Sequence, residues 1–329
     1  MSILVTGVAG FIGFHTAKAL VERGDRVIGV DNLNDYYAPR LKEARLAELR
    51  AARGFSFVKL DIADRDGMLA LVSANRDLTG VLHLAGQAGV RYSLENPYSY
   101  VDSNVMGTVV VLEAARRIGR LDALTYASSS SVYGANRKQP FSVEDAVDRP
   151  VSLYAATKRS GELIARSYSH LYGLPATGLR YFTVYGPWGR PDMAAWLFTE
   201  AILAGQPIKV FNKGRMARDF TYIDDIVAGT IAAHDRPPRQ RGGADEVTHR
   251  IYNLGNHKPE NLLNFIAVIE RALGRKAKKL LLPMQPGDVT ESFADIDSAR
   301  RDLGFVPRTS IEDGIARFVA WYKRYHNIE

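Results

Sequence analysis

Tyr154 and Lys158 stand four residues apart in Ser152-Leu153-Tyr154-Ala155-Ala156-Thr157-Lys158, with a run of hydroxyls, Ser128 to Ser131, upstream. A tyrosine and a lysine at i and i+4 share one helix face. An ammonium near a phenol favours its ionised form, so a group with an ordinary pKa near ~10 can act as a general base closer to neutrality. A serine beside it can bridge proton and substrate. The same spacing arises by chance on solvated helix faces, so the pair gains meaning only from its surroundings.

The strongest of these is Gly7-Val8-Ala9-Gly10-Phe11-Ile12-Gly13, between the β-rich Ile3 to Thr6 and an amphipathic stretch from Phe14 to Arg23. Glycines there permit a tight turn and close backbone approach, and a helix N-terminus offers free N–H groups to a pyrophosphate. Phe11 and Ile12 belong to that cofactor-binding run. Asp31, 18 residues after Gly13, ends the next strand, where its carboxylate can accept from an adenosine ribose and repel a 2′-phosphate. NAD is therefore expected over NADP. Asn32 joins this set, although Asp31, Asn32 and Asn34 also suit a strand-end turn. Asp61-Ile62 can border the adenine, and Asp61 reads equally well as a helix N-cap.

These residues need a scaffold of alternating elements. Strand-like runs at Arg26–Asp31, Phe55–Val58, Gly80–Ala85, Leu121–Ser128 and Ala176–Phe182 alternate with helical patterns at Leu41–Arg53, Gly67–Ala74, Tyr98–Ile118 and the Tyr154 stretch. That alternation predicts an α/β protein with a Rossmann-type, doubly wound parallel sheet. After about residue 182 it weakens into shorter elements at 208–211, 251–254 and 261–272, a smaller C-terminal α/β region. Residues 237–243 read as an exposed loop, and Ile311–Tyr325 as a terminal amphipathic helix.

Composition narrows the class. The chain has 329 residues, 46% hydrophobic and 24% charged, with a formal net charge of +7, the profile of an ordinary globular protein. No stretch approaches the ~20 apolar residues of a membrane span, and the N-terminus carries no basic leader, so a soluble, untargeted protein is expected. Zero cysteines exclude disulfides and thiol catalysis and fit a reducing cytoplasm. Scattered histidines show no metal-ligand spacing, and no aromatic-interleaved basic stripe marks a nucleic-acid groove. No metal, nucleic-acid or membrane partner is expected.

Taken in order, Gly7 to Gly13, Asp31, His83-Leu84-Ala85, Asn104, Ser128 to Tyr133, Tyr154-x-x-x-Lys158, Arg180-Tyr181-Phe182, Arg218 to Asp225 and Pro286 to Val289 resemble the extended short-chain dehydrogenases/reductases. The group is that of the nucleotide-sugar epimerases and dehydratases. The resemblance implies that Tyr154 is the proton acceptor, that Lys158 binds the nicotinamide ribose, and that Leu84 and Ala85 line the cofactor. Ser129 falls at the catalytic serine position, with Ser130 as the fallback and Asn104 in support. It further implies residues 1–182 as mainly the NAD-binding domain and 183–329 as mainly a UDP-sugar-binding region, with chain exchange between them.

The reaction follows from what is missing. Dehydratases of this group carry Thr-Asp-Glu before Val-Tyr-Gly, and related decarboxylases keep the Glu; here the positions read Ser129-Ser130-Ser131. What remains is C4 oxidation and return of the hydride to the opposite face, an epimerisation. The segment Thr183 to Met193 and the runs Asp31–Tyr37 and Pro283–Val289 look like the UDP-glucuronate 4-epimerase signature, so the expected substrates are UDP-glucuronate and UDP-galacturonate. Arg190 is the candidate for the C6 carboxylate, with Thr183 helping. By resemblance Arg218 meets the diphosphate, Phe211 borders uracil and Asp288 lies near the ribose. The alternatives are a UDP-glucose/UDP-galactose 4-epimerase, a UDP-glucuronate decarboxylase and a non-catalytic NAD-binding regulator. Relatives pair through a four-helix bundle, so a homodimer is expected.

Overall fold

The computed structural model describes residues 1–239, 248–284 and 290–329. Ser2–Thr6 (β1), Arg26–Asp31 (β2), Phe55–Lys59 (β3), Gly80–His83 (β4), Ala123–Ser129 (β5), Ala176–Tyr181 (β6) and a seventh strand, His249–Leu254, form one parallel sheet. Their order is His249–Leu254, β6, β5, β4, β1, β2, β3. Strand β1 is buried at every position, as a parallel strand covered on both faces must be. The order reverses between β1 and β4, which opens a crevice at the strands' C-terminal ends.

Two elements differ from the sequence expectation. Ile251 to Leu254, expected among the short elements of the second region, lies in the main sheet instead, with Tyr252 opposite Leu179 and Leu254 opposite Tyr181. A short apolar run cannot reveal which strand it will pair with. The expected helix Tyr98–Ile118 is broken into Pro97–Tyr100, a π-helical turn Val101–Met106 and Gly107–Ala115. The π turn leaves one residue too many for the usual ladder, and Asn104 occupies it.

The second region is built on the strand Ala217–Tyr222, which pairs with Thr183–Tyr185, Pro259–Asn261 and Glu291–Ser292. Buried Asp219 pins it there by accepting from the N–H groups of Asn256 (2.5 Å), His257 (3.1 Å) and Ala294 (3.1 Å). The catalytic-motif helix, Leu153–Tyr172, starts where the Ser152 side chain accepts from the Ala155 N–H. Such a cap contributes about 1 kcal/mol and fixes where Tyr154 emerges. Among the described residues no helix is long and apolar enough to cross a membrane, and no cluster of three or more His, Cys, Asp or Glu could hold a metal ion. Residues 240–243 of the expected loop lie outside the described residues.

Candidate active site

One cavity of about 440 Å³ runs along the C-terminal ends of the strands, from Gly7, Asp31 and Ile62 through Ala85 to Ser129, Tyr154 and Arg190. At its first end the turn after β1 fits a dinucleotide. Gly7 has φ +73°, and a Cβ there would lie 2.6 Å from the Ala85 nitrogen; a side chain on Gly13 would meet the Gly7 carbonyl. Only glycine lets the turn pack this closely against the β4 end. The helix Phe11–Glu22 begins inside the glycine run, and its N-cap Gly10 supplies no side-chain cap. The amides of Phe11, Ile12 and Gly13 are thus the free helix N-terminus, at the cavity wall.

Asp31 sits beside this turn and accepts from the N–H groups of Ala9 (3.1 Å) and Leu33 (2.9 Å). Burial raises its carboxyl above the ordinary value, against those bonds and the charge of Lys42. Asn32 lines the cavity and donates to Asp61 at 2.7 Å. The N-cap alternative for Asp61 fails: Asp64 caps the helix Arg65–Ala74, by accepting from the Gly67 N–H. Ile62, Leu84 and Ala85 line the same wall.

At the other end Tyr154, Lys158 and Glu162 form an i, i+4, i+8 stripe on one helix face. Tyr154 lies within hydrogen-bonding reach of Ser129, and Lys158 donates to the Ala127 carbonyl at 3.0 Å. Ser128, which also lines the cavity, donates to Glu162 at 2.6 Å. Ser130 and Ser131 open a 3₁₀ turn and line the cavity. Burial raises the Tyr154 phenol above its usual value, opposed by the Ser129 bond and the Arg190 charge. Burial also lowers Lys158 to about 8. The groups that pull the phenol back down are Ser129 and Arg190.

Two supports escaped the sequence reading. Glu162 is buried and receives both Arg180 Nε (2.8 Å) and Nη2 (2.9 Å), together with Arg159 (2.8 Å). Its place four residues beyond Lys158 was the available signal. Gln87 is the other. Asn104 accepts from the Gln87 N–H (2.8 Å), donates to its carbonyl (3.0 Å) and donates to Thr157 (3.1 Å), so the π turn clamps the β4 loop to the Tyr154 helix. Tyr100 completes this wall, its ring edge-on to Tyr154 at 6.1 Å.

Arg190 reaches the cavity, but not as a free cation. Its Nε and Nη2 donate to Asp192 at 2.9 and 2.6 Å, and Tyr36 donates to the same carboxylate at 3.0 Å. Burial works against the charge of Arg190, yet Asp192 holds its pKa above the ordinary value. Burial and Asp192 push Tyr36 up to about 12. Thr183 lines the cavity beside them. Phe211 and Arg218 do not line it. Arg91 places its guanidinium 5.5 Å from the Phe211 ring centre, and Arg218 donates to the carbonyls of Ala217 (2.9 Å) and Thr290 (3.3 Å). Asp288 lies outside the described residues. Among the described lining residues Asp31 is the only carboxylate, and it stands at the cofactor end.

A family model described as the NAD dependent epimerase/dehydratase family matches residues 3–255. UDP-glucuronate 4-epimerase 4 of Arabidopsis thaliana is 50% identical, over 99% of this chain and 76% of its own length. UDP-glucuronic acid 4-epimerase from Bacillus cereus, solved in complex with UDP-glucuronic acid and NAD, superposes with a TM-score of 0.88 at 35% identity over 99% of this chain and 100% of its own. UDP-glucose 4-epimerase from Thermotoga maritima, solved with UDP-glucose, gives 0.86 at 30% identity over 99% and 100%.

Proposed function

The chain belongs to the NAD dependent epimerase/dehydratase family, and from that premise we propose that it interconverts UDP-glucuronate and UDP-galacturonate by C4 epimerisation. The observation that carries the reaction type is the catalytic end of the cavity. It presents Tyr154, Ser129 and Ser130, and no carboxylate among the described lining residues. Elimination of water from a keto sugar needs an acid and a base beyond the tyrosine. This site offers hydroxyls instead.

NAD, the cofactor, supplies a hydride acceptor that becomes the donor in the return step, and while oxidised a positive charge that favours the phenolate. The amides of Phe11 to Gly13 would hold its diphosphate, with Gly7 and Gly10 allowing close approach. Asp31 and Asn32 would hold the adenosine ribose, Asp61 and Ile62 would border the adenine, and Leu84, Ala85 and Lys158 would hold the nicotinamide half.

Tyr154 takes the proton of the sugar C4 hydroxyl, with Ser129 beside it to pass the proton between substrate and phenol. The resulting ketone is β to the C6 carboxylate, and carbon dioxide leaves if the C5–C6 bond aligns with the carbonyl π system. Arg190 and Thr183 keep that bond out of alignment. The sugar then turns its other face, Tyr154 returns the proton, and the inverted alcohol results. Turning requires UDP to be held firmly and the hexose loosely, and Phe211, Arg218 and Asp288 are assigned to UDP. On this reading 1–182 is mainly the cofactor domain and 183–329 mainly the UDP-sugar region, with His249–Leu254 crossing back into the main sheet.

Incubating the purified protein with UDP-glucuronate and following products by NMR is expected to yield UDP-galacturonate; a UDP-pentose with carbon dioxide contradicts the proposal. One observation favours a neutral UDP-hexose instead: Asp192 already occupies the Arg190 fork. Faster turnover of UDP-glucose than of UDP-glucuronate would establish that reading.

The protein is further assigned as a cytoplasmic homodimer. The absence of cysteine fits a reducing compartment. Leu94, Tyr98, Val101 and Met106 are exposed, as are Leu163 and Leu171 on the Tyr154 helix that their segment packs against, and exposed apolar residues grouped into faces mark contacts between proteins. Tyr98→Asp is expected to convert a dimer into a monomer in sedimentation equilibrium. A monomeric wild-type protein contradicts the assignment.

A further inference from the structure

Arg45, in the helix Pro39–Arg50, is 0% exposed, and its hydrogen bonds go to neutral oxygens. Nη1 donates to the Ala9 carbonyl and the Tyr37 hydroxyl, both at 2.7 Å. Nη2 donates to the carbonyls of Trp188 (2.6 Å) and Gly189 (3.3 Å). Nε has no partner. Burying a guanidinium against neutral acceptors is costly, so the bonds it makes are informative.

Those acceptors belong to two halves of the site. Ala9 lies in the glycine turn, and its N–H reaches Asp31. Trp188 and Gly189 immediately precede Arg190. Trp188 has φ +61°, a left-handed conformation that costs a non-glycine residue free energy and persists only where its surroundings enforce it. Its ring packs on Phe14 (5.6 Å) and Trp321 (5.1 Å), and Arg45 holds its carbonyl and the next one. The Trp188 turn aims Arg190 into the cavity, so whatever holds the turn sets the guanidinium's position. Tyr36, next to Tyr37, makes a parallel link through Asp192.

We propose that Arg45 is a positioning residue that holds the Trp188–Gly189 turn, and through it Arg190, and ties that turn to the cofactor-side glycine loop. The inference rests on the assignment of Arg190 to the substrate carboxylate. A lysine at position 45 keeps the charge but cannot reach all four acceptors. Arg45→Lys is expected to lower kcat/KM for UDP-glucuronate about 10- to 100-fold, as displaced positioning groups do. The Arg45→Lys/Arg190→Ala double variant is expected to match Arg190→Ala alone to within about 2-fold, because residues acting through one contact are not additive. Effects that multiply would assign Arg45 a purely structural role and overturn the proposal.

Hydrogen exchange reads the turn without substrate. In Arg45→Lys the amides of Gly189, bonded to the Gly186 carbonyl, and Met193, bonded to the Arg190 carbonyl, should lose protection while the β4–β5 amides keep theirs; unchanged protection overturns the proposal. If Arg45→Lys does not fold, Tyr37→Phe removes one acceptor, keeps the buried charge, and should deprotect the same amides. Failure of the substrate assignment looks different: wild-type enzyme then leaves UDP-glucuronate unconverted, and the exchange result still decides the role of Arg45.

Discussion

Replacing Tyr154 by phenylalanine is expected to lower turnover by roughly 10²–10⁴-fold, the usual contribution of a positioned acid–base group, while leaving the fold and UDP-sugar affinity nearly unchanged. The ring would keep its packing against Tyr100 and lose only the oxygen that faces Ser129. Ser129 cannot replace it, because a serine hydroxyl is far less acidic than a phenol. The expected signature is a collapse of kcat with KM for the UDP-sugar within a few-fold of wild type, read by steady-state kinetics with a binding titration beside it. A variant that kept more than about a tenth of wild-type kcat would remove Tyr154 from the proton step.

The largest effect on stability is expected at Glu162. Its two carboxylate oxygens satisfy Arg180, Arg159 and Ser128, and Arg180 is itself buried, with Nη1 donating to Tyr133 at 3.1 Å. Glu162→Gln leaves the Arg180 guanidinium in the interior without its counter-charge, a change that costs about 3–5 kcal/mol when one partner of a buried pair is removed. Urea unfolding should show it as a lowered midpoint; Asp235→Asn, at the surface pair with Arg23, should move the midpoint far less. Acid should act in the same direction. Burial alone raises Glu162, but the Arg180 bonds outweigh it and hold the carboxyl below its ordinary 4.5. A depressed carboxyl contributes its stability in full above the unfolded value and loses it as pH falls through the folded one. The difference between wild type and Glu162→Gln should therefore shrink below about pH 4.5. A midpoint insensitive to the substitution would show the pair to be dispensable.

Both predictions concern one helix, and they differ in how readable they were. Tyr154 and Lys158 could be found because their spacing matches a helix and a glycine turn precedes them. The main sheet was legible through β6 because strands and helices alternate at regular intervals. His249–Leu254 was not placed, since its partner Ala176–Tyr181 is distant in sequence and periodicity carries no pairing information. The burial of Glu162 and Arg45 was hidden for a related reason: a charged residue in a helical pattern normally faces water, and tertiary contacts show that these two do not. The Arg190–Asp192 fork was likewise hidden. The family resemblance of the Thr183 to Met193 segment nominated Arg190, while the contact with Asp192 takes up its Nε and Nη2.

On the proposed mechanism, hydride taken from C4 returns to C4 on the other face. Conversion of UDP-[4-²H]glucuronate in light water, followed by NMR of the product, tests it most directly. UDP-galacturonate with deuterium retained at C4 is the expected product. Protium at C4, or release of carbon dioxide with a UDP-pentose as product, would contradict it.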